Sequence, residues 1–372
     1  MNILILSWRG PGHPNAGGAE QVTFEHAKGW IKGGHDVTLF TSFFDGAKKE
    51  GVIDGVKIKR AGRQFFEVQF KAFLWYFFGK HQRFDLVVDE IHGIPFFTPI
   101  YVRSRKLAFI HEVAKEVWKL NPWPKPFNLI PSILGTLLEP WVFRLFYTKV
   151  PFMTVSNSTK NDLISWGIPK SNVTVIHNGV KLFLPNKLPV KEVKNTAMYL
   201  GAISEDKGTL DAIKAFAEIE RKDDTWQYWI VGPGSEEYLG KLKKLVRELG
   251  IEMKLKVWGF VSEKKKFELL ARAHILINPS VHEGWSLVNI EANSVGTPVI
   301  GYNVHGLRDS VINAKTGILV NKGVYRSLAE TAVKLVRNKG TYEKFQKNCK
   351  KWATKFTWEK AVKESLGLVE SL

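Results

Sequence analysis

Short apolar runs recur along the chain, each followed by a polar or glycine-bearing loop and then by an amphipathic stretch. Ile3–Leu6 leads through a loop containing Gly17 and Gly18 into a helical pattern from about Ala19 to Trp30. Ala197–Leu200 leads likewise through Gly201–Gly208 into a helical pattern from about Thr209 to Glu220. Further strand-like runs are Asp36–Thr41, Leu86–Val88 and Leu107–Ile110 in the first half. The second half adds Trp226–Val231, Lys254–Trp258, His274–Asn278 and Pro298–Gly301. Short apolar runs alternating with helical periodicity predict parallel sheets covered by helices on both faces. Two such series in tandem predict an α/β protein of two doubly wound, Rossmann-like domains facing a central cleft. The Pro- and Lys-bearing stretch Lys181–Lys194 is the linker candidate, giving domains of residues 1–180 and 181–355. Phe356–Leu372 reads as one amphipathic helix able to pack on either.

Composition narrows the class. With 372 residues, 44% hydrophobic and 24% charged, each half can build its own core. Cys349 is the only cysteine, which excludes an internal disulfide and points to a reducing compartment. The opening MNILILSW lacks the basic region and long apolar run of a signal peptide. No apolar run is read as reaching the roughly 18 residues that span a bilayer, because Glu139, Pro140 and Arg144 interrupt the richest, Leu129–Tyr147. The expectation is a cytoplasmic protein. Net charge is +18, with 22 Lys+Arg against 14 Asp+Glu over residues 1–180 and 32 against 22 over the rest. A spread excess without a nucleic-acid motif gives no reason to expect nucleic acid as partner. It suits an anionic membrane surface and anionic ligands equally.

Candidate chemistry concentrates in His274–Gly301. A buried strand ends at Asn278, a Pro-Ser turn follows, and Glu283-Gly284 is expected to open a helix running to about Ser294. The amides of Gly284, Trp285, Ser286 and Leu287 would then form a helix N-terminus, which suits a diphosphate. Glu283 falls at its mouth and Glu291 about two turns on, too far apart for a catalytic dyad. They suit hydroxyls at the two ends of an extended ligand, or simply a capping and a solvated carboxylate. Two aromatic stretches, Phe65–Phe78 and Trp118–Tyr147, read either as core helices or as a surface facing lipid or a lipid-linked molecule.

The motif Glu283-Gly-Trp-Ser-Leu-Val-Asn-Ile-Glu291, with Gly296-Thr-Pro-Val after it, resembles the E-x7-E signature of retaining family-4 glycosyltransferases (glycosyl transferases group 1). The likeness runs through the chain. Gly17-Gly18-Ala19-Glu20 matches the family's GGxE loop, and Val155–Leu163 its SxxT-K-x-D-L segment. Val175–Val180 matches VIxNGV, Gly201 with Lys207-Gly208 matches GRLxxxKG, and Val231–Gly234 matches VGxG.

The resemblance implies the two-domain GT-B fold and a donor that is a UDP-, GDP- or ADP-sugar held by the C-terminal domain. The acceptor would be a glycan or lipid-linked glycan, and transfer would retain anomeric configuration without a metal or other cofactor. It implies that Glu291 binds the ribose hydroxyls, Glu283 the donor sugar, and Lys207 the diphosphate, together with the Gly284–Leu287 amides. Gly17-Gly18 would let backbone approach the diphosphate, and His111, just after Leu107–Ile110, would contact the donor sugar near the reacting carbon. One departure is Ala202, where the family carries an arginine on the phosphates; Lys207, the amides or Arg9 would take its place. A second is Asp309, where the family often has Glu. Two other readings stay open, a non-catalytic nucleotide- or glycan-binding relative and a GT-B epimerase or phosphorylase.

Overall fold

A computed structural model describes residues 1–115, 118, 126–183 and 188–372. Residues 184–187 of the linker stretch and 119–125 of the second aromatic stretch therefore lie outside the described residues. The chain divides into two compact units, Met1–Gly179 with Trp358–Leu372, and Val180–Thr357.

In the first unit, β1 (Asn2–Leu6) is followed by α1 (Gly18–Lys32), β2 (Asp36–Thr41), β3 (Glu50–Ile53) and β4 (Val56–Arg60). Then come α2 (Phe66–Phe78), β5 (Leu86–Ile91), α3 (Thr98–Tyr101) and β6 (Arg105–Ile110). They are followed by α4 (Leu129–Val142), a π-helical turn Phe143–Tyr147, β7 (Phe152–Thr154), α5 (Asn157–Ser165) and β8 (Val173–Val175). Among the described residues the sheet order is β3-β4-β2-β1-β5-β6-β7-β8, parallel except where the β3 hairpin strand pairs antiparallel with β4. Ile3 to Leu6, Val87, Val88, Leu107 and Ala108 are fully buried, as expected of strands covered on both faces.

The second unit runs β9 (Asn195–Leu200), α6 (Thr209–Lys222), β10 (Trp226–Val231), α7 (Glu236–Glu248), β11 (Leu255–Gly259), α8 (Glu263–Arg272), β12 (Ile275–Asn278) and α9 (Leu287–Ser294). It ends with β13 (Val299–Tyr302), α10 (Leu307–Ser310), β14 (Gly317–Val320), α11 (Tyr325–Arg337) and α12 (Lys339–Ala353). Its sheet order is β11-β10-β9-β12-β13-β14, parallel throughout the described residues. The last helix, α13 (Trp358–Ser371), packs on α1. Gly29 and Gly33 let it approach: a Cβ on Gly29 would lie 2.2 Å from the Val362 side chain. Ser365 Oγ meets His26 Nδ1 at 2.8 Å and accepts from Trp30 Nε1 at 3.0 Å.

The structure revises several sequence expectations. The helix after β12 begins at Leu287, not at Glu283-Gly284, so Gly284, Trp285 and Ser286 belong to the preceding turn. Glu291 is the fifth helical residue, a little over one turn in rather than two. The aromatic stretches are buried only in part: α2 buries Val68, Gln69 and Ala72, and the second stretch buries Ser132 and Glu139 of α4 and Phe143 and Tyr147 of the π-helical turn. Leu129–Tyr147, read in the sequence as too interrupted to match a span, forms a continuous 19-residue helix that is long and apolar enough to cross a membrane by length and composition. Only 17% of its most apolar window is buried.

Candidate functional site

In a doubly wound sheet, ligands gather beyond the carboxyl ends of the strands where the chain reverses its direction of strand addition. In the second unit that point lies between β9 and β12. The loop after β9 carries Gly201, Ala202 and Lys207; the loop after β12 carries Glu283. They meet: Lys207 Nζ donates to Glu283 Oε1 at 3.0 Å, and Ser280 Oγ donates to the same oxygen at 2.7 Å. Two glycines make room. Gly208, at φ +67°, would bring a Cβ to 2.1 Å from the Pro279 carbonyl oxygen. Gly306, at φ +73°, would bring one equally close to that of Glu283. Val281 N–H donates to the Asp206 carbonyl at 2.9 Å, so the two loops are joined by backbone as well.

Behind this pair the turn is held from within. Asn278 Nδ2 donates to Ser286 Oγ at 3.0 Å and to Asn289 Oδ1 at 2.8 Å; Asn289 Nδ2 donates to Ser310 Oγ at 2.9 Å. These buried bonds hold Ser286 at φ +66°, unusual for a residue with a Cβ, as the N-cap of α9. Trp285 is buried, with its ring 5.0 Å from that of Phe356, so its side chain anchors the turn. Glu291 is buried too, and its Oε1 accepts from Lys266 Nζ of α8 at 2.7 Å. Burial pushes the Glu291 carboxyl above its usual range, and Lys266 opposes that. Sequence reasoning missed Lys266. Its signal was a lysine within the three-lysine run 264–266, one turn from Leu270 on the side of α8 that buries Phe267 and Leu270.

In the first unit the reversal lies between β1 and β5. Gly17 is the N-cap of α1, and its N–H donates to Glu20 Oε2 at 2.7 Å. Gly18 opens the helix. Arg9, considered above as a substitute phosphate ligand, is already engaged: its Nε donates to Glu20 Oε1 at 2.6 Å and Nη1 to the Asn15 carbonyl at 2.6 Å. His111 follows β6 and is buried; its Nε2 lies 3.4 Å from Glu90 Oε1 and 3.3 Å from Thr23 Oγ1. Glu90 is completely buried and accepts from Ser7 Oγ at 2.7 Å. It too was missed, although two adjacent carboxylates, Asp89 and Glu90, in the strand run LVVDEI are the legible sign. Thr159 Oγ1 donates to the His111 carbonyl at 3.2 Å while its N–H donates to Ser156 Oγ, which ties the SxxT motif to the histidine. Thus Gly17, Gly18, Arg9 and His111 stand in the first unit, and Gly201, Lys207, Glu283, Gly284 to Leu287 and Glu291 in the second.

Comparisons with known proteins follow the same division. Residues 180–352 match the family described as glycosyl transferases group 1, and residues 16–182 match glycosyltransferase family 4. An uncharacterized glycosyltransferase of Methanocaldococcus jannaschii is 23% identical over 392 residues, covering 99% of this chain and 97% of that protein. Among solved structures, sucrose-phosphate synthase of Thermosynechococcus elongatus superposes with a TM-score of 0.81 at 18% identity, over 100% of this chain and 98% of that one. HepE of Anabaena, solved in complex with UDP and glucose, superposes at 0.74 with 18% identity over the whole of both chains.

Proposed function

The chain belongs to the glycosyl transferases of group 1 and family 4, with the GT-B fold of two parallel-sheet units, and from that premise we propose the reaction it performs. It moves a sugar from a nucleoside-diphosphate donor to a glycan or lipid-linked glycan, retaining anomeric configuration, and works on the cytoplasmic side of a membrane. The observation that carries this reading is the meeting of Lys207 and Glu283 at the strand-order reversal of the second sheet, with Glu291 buried behind them. A cation beside a carboxylate and a turn of backbone amides is suited to a diphosphate joined to a polyhydroxylated sugar: the cation and amides neutralise the phosphates, and the carboxylate accepts from hydroxyls. Glu291, accepting two hydrogen bonds at once, suits a ribose. HepE, bound to UDP and glucose, makes uridine the first donor base to try.

Catalysis in this reading stabilises the departing diphosphate by Lys207 and the Gly284–Leu287 backbone, with no protein nucleophile and no resident metal. The family resemblance gives Gly17-Gly18 and His111 their parts in the first unit, and His111→Ala tests the histidine separately. The decisive experiment compares two carboxylate variants. Glu291→Ala should weaken binding of free nucleoside diphosphate. Glu283→Ala should leave that binding nearly intact and cut turnover, since its partner is the sugar. Equal loss of nucleotide affinity in both would reject this placement of the donor. The anomeric configuration of the product, read by NMR, tests retention.

A further inference from the structure

Helix α4 and the π-helical turn after it are built inside out. The stripe facing the first unit is Ser132, Glu139, Phe143 and Tyr147, with polar groups over its first half. Glu139 accepts from the Ala114 N–H at 2.8 Å, the Lys115 N–H at 3.1 Å and Trp118 Nε1 at 3.0 Å. Ser132 Oγ donates to the Trp118 carbonyl at 3.0 Å. Gly135 lets the Trp118 ring lie against the helix, where a Cβ would come within 2.2 Å of it. The opposite stripe carries Ile130, Ile133, Leu134, Leu137, Leu138 and Trp141, each 49% to 66% exposed. A helix facing water would place these groups the other way round, since exposed apolar area costs free energy in proportion to its size.

We propose that this outward face is the surface by which the enzyme docks on an anionic lipid bilayer, lying in the plane of the headgroup boundary. The ties at Ser132, Glu139, Phe143 and Tyr147 fix the helix along its length to the first unit, so it lies on a bilayer and does not thread one. Interfacial helices bury such a face to about 5–10 Å depth, with Trp and basic residues at the rim. Here the Arg144 guanidinium stands 5.8 Å from the Trp141 ring. Ring contacts carry the apolar surface further: Phe97 beside α3 meets Phe146 at 6.1 Å, and Tyr101 of α3 meets Phe77 of α2 at 6.1 Å. Charge selects the occupant. A net charge of +18 is attracted to acidic headgroups, whereas two copies of so basic a chain repel each other.

The inference deepens the proposed reading by making the acceptor one carried in lipid, and it is tested apart from turnover. The full chain is floated with phosphatidylcholine vesicles with and without phosphatidylglycerol, beside a Leu134→Asp/Leu138→Asp variant. Wild type should bind the acidic vesicles, more weakly in salt but still measurably. The variant should lose at least about tenfold in lipid affinity. Its melting temperature should not fall, because both side chains are already exposed. Trp141→Phe should remove part of the fluorescence blue shift that vesicles induce. Wild type remaining with the soluble fraction, or equal binding by the variant, would overturn the docking surface. So would a wild-type dimer that the variant breaks while neither binds lipid, since the face would then join two copies. Turnover of a nucleotide sugar in solution is assayed in parallel, so its failure rejects the transferase reading and leaves the surface standing.

Discussion

At residue scale, Ala202 changes what is asked of Lys207. Ala202 is exposed, its carbonyl accepts from Tyr199 Oη at 2.6 Å, and its side chain has solvent beside it. The arginine that the family aims at the phosphates is thus missing, and Arg9 is engaged with Glu20 in the other unit. Hydrogen bonds to charged groups contribute roughly 1.5–3 kcal/mol, so Lys207→Ala should lower transfer by about ten- to a hundredfold. Ala202→Arg should be tolerated and tighten nucleoside diphosphate binding. Titration calorimetry and a transfer assay on both variants check this; an unchanged Lys207→Ala would mean the phosphates are held elsewhere. Lys266 is the second residue to test. Burial raises the Glu291 pKa and Lys266 holds it down, so Lys266→Met should move Glu291 further up. If Glu291 holds the ribose as proposed, the ionised carboxylate is the stronger acceptor, and nucleotide affinity should fall as pH falls through that pKa. In Lys266→Met the loss should begin at a higher pH, and UDP titrations across the acid range would show it.

At the scale of elements, strands with both faces buried were legible because a continuous apolar run needs no knowledge of its neighbours. Not read in the sequence were β3, exposed throughout, β4, in which lysines alternate with apolar residues, and β7, β8 and β14, of only three or four residues each. The start of α9 was misplaced because packing sets it: Asn278 bonds to Ser286, and Gly306 lies close against the Glu283 carbonyl. Glu283, Lys207 and Glu291 were singled out through their motif, whereas Glu90 and Lys266 left only weak signs, an acidic pair in an apolar strand and a lysine run, which strand order and helix packing make meaningful. The contact of α13 with α1 carries its own pH dependence. Burial, reinforced by His111, lowers the His26 pKa to about 3 from 6.5. The folded state then binds fewer protons than the unfolded one between those values, so stability present above pH 6.5 is lost as pH falls toward 3. The slope reaches up to about 1.4 kcal/mol per pH unit. Denaturant titrations over this range should reveal it, and His26→Gln should flatten it.

At the scale of the whole molecule, the second unit is an insertion into the first. The two ends of the insertion meet: the Val180 N–H donates to the Phe356 carbonyl at 3.1 Å. A chain whose ends are adjacent can be excised without breaking its core. Residues 180–357 expressed alone should fold and bind nucleoside diphosphate with the preference of the full chain, measured by thermal shift. Residues 1–179 alone should be soluble only poorly, because the α1 face at His26, Gly29, Trp30 and Gly33 loses its partner, α13. That contact also orders events on the ribosome. The first unit is therefore built from two separated stretches of chain, and α1 lacks its partner until Trp358–Ser371 has followed the inserted unit out of the ribosome. A chain truncated before Trp358 would leave uncovered the α1 face, at Gly29 and Gly33, that Val362 and Leu366 otherwise meet.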